Sequence, residues 1–184
     1  AAAAPTGSPA ASGRADLLIF VCSPARARLT NAPVEAEEVR KILEKRGARI
    51  VMNRRGQEFG GNGVDLGNLL KEHRPRILLF IGHADAKHSY AKHSYNLTLG
   101  LTDEAGGLVR LLPETLVDVL SSAELELVVL NGCESEALGA AVAKAADIPV
   151  VCWRTKLLDR AAALYSPALF VHLMHPSRAA APLR

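Results

Sequence analysis

Short, unbroken runs of hydrophobic residues alternate along the chain with longer segments in which hydrophobic residues recur every three or four positions. The runs at 17–22 (LLIFVC), 77–81 (ILLFI) and 127–130 (LVVL) predict strands that are covered on both faces. Shorter runs at 49–52 and 150–153 predict two more strands. Because these strands alternate with amphipathic segments, the pattern predicts an α/β fold with a mostly parallel sheet and helices on both faces.

The segments between the strands carry the start and stop signals of helices. Pro33 and Pro113 stand where a first helical turn accepts proline, and Gly47 supplies a C-terminal stop. Other helices are predicted around Leu66, Leu69 and Leu70, at 137–146 and at about 157–173. Between the third predicted strand (77–81) and the fourth (127–130), Leu97–Leu101 and Leu108–Leu111 predict an inserted β-hairpin.

The composition changes at both ends of the 184-residue chain. Residues 1–14 contain almost only small residues and proline, which predicts a flexible linker or tail. We expect one domain at 15–175 and a C-terminal tail at 176–184. One repeat is present, because AKHSY at 86–90 recurs at 91–95, and we expect this duplication to enlarge a polar loop after the third strand.

Charge and cysteine content exclude several classes of protein. Lys and Arg exceed Asp and Glu by 22 to 19, a net charge of +3 that is too weak to indicate a nucleic-acid or membrane partner. No run approaches the roughly 20 apolar residues that span a bilayer. The three cysteines include no CxxC pair, so neither a disulfide framework nor a zinc ribbon is predicted. A reducing compartment, the cytoplasm, fits this pattern.

Two polar segments directly follow buried strands. Gly82-His83 follows the third strand, and Asn131-Gly132-Cys133 follows the fourth. Reactive side chains gather at the carboxyl ends of parallel strands, so neighbouring strands would place an imidazole beside a thiol. A nearby imidazole favours the thiolate, and a helix beginning after the cysteine adds its positive end. The sequence therefore predicts a cysteine nucleophile with its base.

Each of these residues also has a plainer interpretation. Cys133 would be a small packing residue, as we expect for the other two cysteines, and His83 alone would be a hydrogen-bonded structural histidine. His83, His88 and His93 suggest a metal site only weakly, because spacings of five match no usual ligand pattern and the duplication explains the last two. We expect no bound metal.

Four segments resemble successive blocks of the CHAT domain, a caspase-like and separase-like cysteine peptidase family. They are LLFIGHAD (78–85), ELVVLNGCES (126–135), IPVVCWRT (148–155) and LLDRAAALYSPALF (157–170). The first strand with Ser23-Pro24 and the Glu-rich helix after it also fit the family's opening half. The resemblance covers about 15–173 and implies a caspase-like three-layer α/β/α sandwich with a mostly parallel central sheet and an inserted β-hairpin.

The resemblance also implies an activity. His83 corresponds to the catalytic histidine and Cys133 to the nucleophile of a cysteine endopeptidase, a hydrolase that needs no cofactor. The backbone N–H groups of Ala84 and Cys133 would form the oxyanion hole. The implied partners are a protein or peptide substrate and a repeat-containing regulatory region. Ala84 replaces a glycine usual in the family, which restricts the backbone if φ must be positive. That departure and the enlarged loop leave open a catalytically inactive interaction or sensing module.

Specificity is expected to depend on Asn131, two residues before Cys133. In caspase relatives this position often faces the side chain that precedes the scissile bond, although a strand-end residue capping the next helix fits equally well. Relatives that cut after Arg or Lys tend to carry a carboxylate there, so Asn131 predicts no strong basic preference. A basic preference would indicate Asp85 in the pocket. Asp159 is expected to support the last helix through its charge.

Nucleotide binding is a third class of function that the architecture alone would allow. The glycine-rich segment at 60–63 lacks a P-loop lysine and the preceding strand and turn of a phosphate-binding loop. We therefore do not expect a nucleotide site.

Overall fold

The computed structural model describes residues 13–55, 58–88, 95–103, 105–156 and 158–174. In chain order the elements are β1 (Leu17–Val21), α1 (Ala32–Glu44), β2 (Ile50–Met52), β3 (Arg54–Arg55), β4 (Glu58–Phe59), α2 (Gly63–His73), β5 (Ile77–Ile81), β6 (Ala84–His88), β7 (Tyr95–Thr102), β8 (Leu108–Leu111), α3 (Pro113–Ser121), β9 (Leu127–Asn131), α4 (Glu136–Ala146), β10 (Val150–Val151) and α5 (Asp159–Leu173).

The central sheet has the strand order β10-β9-β5-β1-β2, and all of its neighbouring strands are parallel. Every residue of β1, β5 and β9 is buried, as expected for strands that read as unbroken hydrophobic runs. The prediction of a mostly parallel sheet is therefore confirmed.

Helices cover both faces of this sheet, because successive strand residues point to opposite sides. Helices α2, α3 and α4 pack on the face that carries Phe20 and Phe80. Helices α1 and α5 pack on the face that carries Ile19 and Leu79, where Phe170 of α5 is fully buried. The result is the three-layer α/β/α sandwich that the family resemblance implied.

A second sheet with the antiparallel order β6-β7-β8 is inserted between β5 and α3. The hairpin predicted at 97–101 and 108–111 is confirmed, with β7 longer than expected. β6 was expected to be part of a polar loop, and that expectation was wrong. An antiparallel strand is held by its backbone bonds to a partner, so it needs no continuous hydrophobic run.

The duplicated AKHSY unit contributes residues to β6 and β7 of this sheet. The first copy begins on β6 and the second ends at Tyr95 on β7, where Tyr95 lies opposite His88. Residues 89–94, between these two positions, lie outside the described part. The duplicated unit therefore contributes residues to both paired strands.

The other differences are one small additional hairpin and shifts at the ends of elements. β10 ends at Val151, two residues earlier than predicted, and the small β3–β4 hairpin was not predicted. α2 begins at Gly63, where the Asn62 side chain accepts from the N–H groups of Val64 and Asp65 and so ends the glycine-rich loop. Among the helices of the described ranges, none is long and apolar enough to cross a membrane. The expected linker and tail lie almost wholly outside those ranges.

Candidate active site

His83 and Cys133 lie at the same level on two adjacent parallel strands. Ile81 is paired with Asn131 at the carboxyl ends of β5 and β9, and each candidate residue follows its strand end by two positions. The prediction that the two residues leave the same edge of neighbouring strands is therefore confirmed. Both line one cleft of about 260 Å³, which is also lined by Ala84, Thr98, Gly100, Leu108, Arg110, Glu134 and Lys156.

Two glycines allow the elements around His83 to approach closely. A Cβ on Gly132 would lie 2.8 Å from the carbonyl oxygen of Gly82 and 2.9 Å from the Cβ of Ala84. A Cβ on Gly100 of β7 would lie 2.9 Å from the Cβ of His83. All three distances are too short for a side chain, so the histidine segment fits between two stretches of bare backbone. Gly100 was not among the site residues predicted from the sequence.

The His83 ring is oriented by a backbone carbonyl. Its Nε2 lies 2.6 Å from the carbonyl oxygen of Ala27, which belongs to a short 3₁₀ turn (Ala25–Ala27) after β1. A carbonyl oxygen only accepts, so Nε2 donates, and a neutral ring then has an unprotonated Nδ1. This tautomer leaves Nδ1 able to receive a proton. The sequence held no signal for Ala27, because a backbone carbonyl is present at every position.

The turn that carries Cys133 is fixed by the segment after β10. Glu134 has a positive φ of 48°, and Ser135 occupies the N-cap position of α4. The Ser135 hydroxyl lies 2.8 Å from the carbonyl oxygen of Gly132 and accepts from the N–H of Trp153. The N–H of Glu134 in turn donates to the carbonyl oxygen of Thr155 at 3.1 Å. Cys133 is half-buried, three residues before α4 begins at Glu136.

Ala84 is accommodated without backbone strain. The non-glycine residues with positive φ in the described part of the chain are Arg74, Glu134 and Asp147, so Ala84 does not need the conformation that favours glycine. The N–H of Gly100 donates to the carbonyl oxygen of His83 at 2.8 Å. Because antiparallel strands alternate their bonding, Ala84 on β6 directs its own N–H away from β7. Its role in an oxyanion hole stays a prediction.

Asn131 lies in a buried polar network on the face covered by α1 and α5. Its Nδ2 donates to Oε1 of Glu35 at 2.5 Å and to Oγ of Ser166 at 3.0 Å, and its Oδ1 accepts from Nε1 of Trp153 at 2.7 Å. Asn131 is not among the residues lining the cleft. These bonds connect β9 to α1 and α5. None of them caps α4, and none involves a residue that lines the cleft. The substrate role of Asn131 stays a prediction.

Glu35 is the titratable group of this network, and it was not among the site residues predicted from the sequence. It is fully buried on α1, and burial raises the pKa of its carboxyl to about 7. The charge of Asp159 raises this pKa further, whereas the polar groups of Ser166 and Asn131 lower it. A signal was present in the sequence, since Glu35 falls on the same helical face as Ala32 and Val39.

The other two thiols are held in apolar surroundings. Cys22 is fully buried at the end of β1, and burial raises the pKa of its thiol to about 12. Burial also raises the pKa of the Cys152 thiol, with a further contribution from the charge of Glu136. Both residues fit the packing role expected of them.

Among the described side chains of the remaining candidate residues, none lines the cleft. Asp159 begins α5, and its Oδ2 accepts from the N–H and from Nδ2 of Asn31, at the start of α1. Asp85 pairs with Thr98 across β6 and β7, and its side chain lies outside the described part. The side chain of His88 and the whole of His93 also lie outside it. Within the described residues no group of three His, Cys, Asp or Glu side chains is arranged to hold a metal ion.

The sequence model of the CHAT domain matches residues 2–148, a range that includes both His83 and Cys133. No curated protein matches the chain.

Proposed function

Because the chain belongs to the CHAT domain family, which is related to caspase-like and separase-like cysteine peptidases, we propose that it is a cysteine endopeptidase acting through Cys133 and His83. The observation that carries the proposal is the register of β5 and β9, which brings an imidazole and a thiol to one edge of the sheet and into one cleft.

The proposed reaction begins with transfer of the Cys133 thiol proton to Nδ1 of His83, the nitrogen that the bond to Ala27 leaves unprotonated. The thiolate attacks the carbonyl carbon of the scissile peptide bond. The resulting oxyanion is bound by the N–H groups of Ala84 and Cys133. When the C–N bond breaks, the leaving amine takes the proton from His83, and a thioester remains on Cys133.

Water completes the reaction. His83 accepts a proton from the attacking water, whose oxygen forms a bond to the thioester carbon. The C–S bond then breaks, and the proton returns to the sulfur as the carboxylic acid product leaves. Atoms and charge balance without a metal or an organic cofactor.

Thiol reactivity tests the dyad without a known substrate. We would label the protein with limiting iodoacetamide at pH 6.5, with glutathione as an internal reference thiol, and map the peptides by mass spectrometry. Cys22, whose pKa is raised from 9.0 to about 12, should hold about a thousandfold less thiolate than an ordinary thiol and label correspondingly slowly. Cys133 should label faster than glutathione.

The matched variants are His83→Ala and His172→Ala, since His172 is an exposed histidine on α5. The first should slow labelling at Cys133 only, and the second should leave all three rates unchanged. If Cys133 labels no faster than glutathione and does not respond to His83→Ala, the endopeptidase proposal is wrong. A non-catalytic interaction module would then be the better description.

A further inference from the structure

We propose that the free edge of β8 binds an extended peptide segment that carries an acidic side chain, adding it to the β6-β7-β8 sheet as a fourth strand. The identification of this segment as part of a protein substrate rests on the proposed function. The binding itself does not, because it depends only on the edge and charges of β8.

The hydrogen-bonding pattern shows which backbone groups of β8 face the edge. The N–H groups of Gly100 and Thr102 on β7 donate to His83 and Gly61, so both residues turn away from β8. Their partners across the ladder are Arg110 and Leu108. Because bonding alternates along an antiparallel pair, Leu108 and Arg110 direct their own N–H and C=O groups away from β7.

The turn before β8 supports the same assignment. The N–H of Asp103 donates to the carbonyl oxygen of Gly107 at 3.0 Å, which closes the hairpin one position beyond the pair of Thr102 and Leu108. Counting along the ladder, Leu101 and Val109 form the next bonded pair. In the described part of the chain, no other strand pairs with β8 on its outer side.

The exposed edge is apolar and lies along the candidate cleft. Leu108 is 44% exposed and Val109 is 43% exposed. Leu108 and Arg110 lie on the face of the sheet that lines the cleft. Leu111 lies on the opposite face and packs in the hydrophobic core. An exposed edge strand with apolar side chains is a ready template for another strand. Here it borders the cleft that contains His83 and Cys133.

The charges beside the β8 edge indicate which kind of peptide segment would bind there. Arg110 and Lys156 line the cleft beside this edge, and Glu134 is the carboxylate among its lining residues. Within the described ranges, no carboxylate forms an ion pair with Arg110 or Lys156. A bound strand would receive its affinity from backbone bonds to Leu108 and Arg110, and its side-chain preference from these two cations. An acidic side chain that faces the cleft would lie beside both Arg110 and Lys156.

The test uses the full chain and two blocked pentapeptides, Thr-Val-Glu-Val-Thr and Thr-Val-Lys-Val-Thr, followed by ¹⁵N NMR. The glutamate peptide should bind about fivefold more tightly than the lysine peptide, the scale expected of solvent-exposed charge contacts. Binding should slow amide hydrogen exchange at Leu108 and Arg110. Exchange at Val109 should change little, because its N–H is already bonded within the hairpin.

Three variants make the test specific. Arg110→Pro removes an outward N–H without removing a bond to β7, and should abolish binding of both peptides. Arg110→Glu should reverse the preference, so that the lysine peptide binds more tightly. Arg160→Glu, on the exposed side of α5, makes the same change in net charge and should leave the preference as it is in the unmodified chain.

The outcomes separate this proposal from the proposed function. If Cys133 is reactive but neither peptide protects Leu108 and Arg110, the β8 proposal is overturned and the endopeptidase proposal stands. If the peptides bind as described but Cys133 is unreactive, β8 is the docking surface of a non-catalytic domain. An equal affinity for both peptides that Arg110→Glu does not change would overturn the acidic preference.

Discussion

Substitution of Glu35 by glutamine should remove a pH dependence from the stability of this fold. Glu35 is fully buried, its Oε1 accepts from Asn131 at 2.5 Å, and its Oε2 has no hydrogen-bond partner among the described residues. Burial raises the pKa of the carboxyl from 4.5 to about 7. Glutamine has nearly the same shape and can keep the bond to Asn131, but it has no proton to release. It therefore resembles the neutral form of Glu35.

The sign of the effect follows from proton binding. In the unfolded chain the carboxyl loses its proton near pH 4.5, whereas the folded protein retains it to about pH 7. Between these values the folded state binds more protons, so its stability falls as the pH rises. The contribution is fully present below pH 4.5. The difference between the two pKa values corresponds to about 3 kcal/mol lost above pH 7.

The assay is urea unfolding followed by circular dichroism at pH 5, 6, 7 and 8. The unfolding free energy of Glu35→Gln, relative to the unmodified chain, should rise by about 2–3 kcal/mol between pH 5 and pH 8. Glu38→Gln is the matched control, because Glu38 is exposed on the same helix and pairs with Lys41. Any cost of burying the new amide is independent of pH and does not affect this difference. A constant difference between Glu35→Gln and the unmodified chain would refute the reasoning.

Three further substitutions test the packing around the site, each by urea unfolding at one pH. Gly132→Ala should destabilise the fold by about 2–3 kcal/mol, because a Cβ there lies 2.8 Å from the carbonyl oxygen of Gly82; a neutral result would mean that β5 and β9 separate easily. Glu134→Gly should stabilise it by about 0.5–1 kcal/mol by relieving a positive φ of 48°, and a loss of stability would show that the side chain makes a compensating contact. Asp159→Ala should cost about 1–2 kcal/mol through the two lost bonds from Asn31, and an unchanged midpoint would argue against this link between α1 and α5.

The sequence by itself determined the layers of the fold and the position of the candidate dyad. Strands buried on both faces must be hydrophobic at every position, so β1, β5 and β9 stand out as unbroken runs. The runs of β5 and β9 end directly before the segments that carry His83 and Cys133. Parallel strands share one carboxyl edge, so placing His83 and Cys133 there required only that their strands be neighbours.

Only the tertiary structure decided how these residues are held. The ring of His83 is oriented by the backbone of Ala27, and Asn131 bonds to Glu35, which is 96 positions away along the chain. β6 is a strand because β7 pairs with it, although its own sequence is polar. A hydrogen bond depends on which groups the fold brings within about 3 Å of each other. Local sequence records the preference of each segment for a helix or a strand, but it does not record which distant partner that segment will meet.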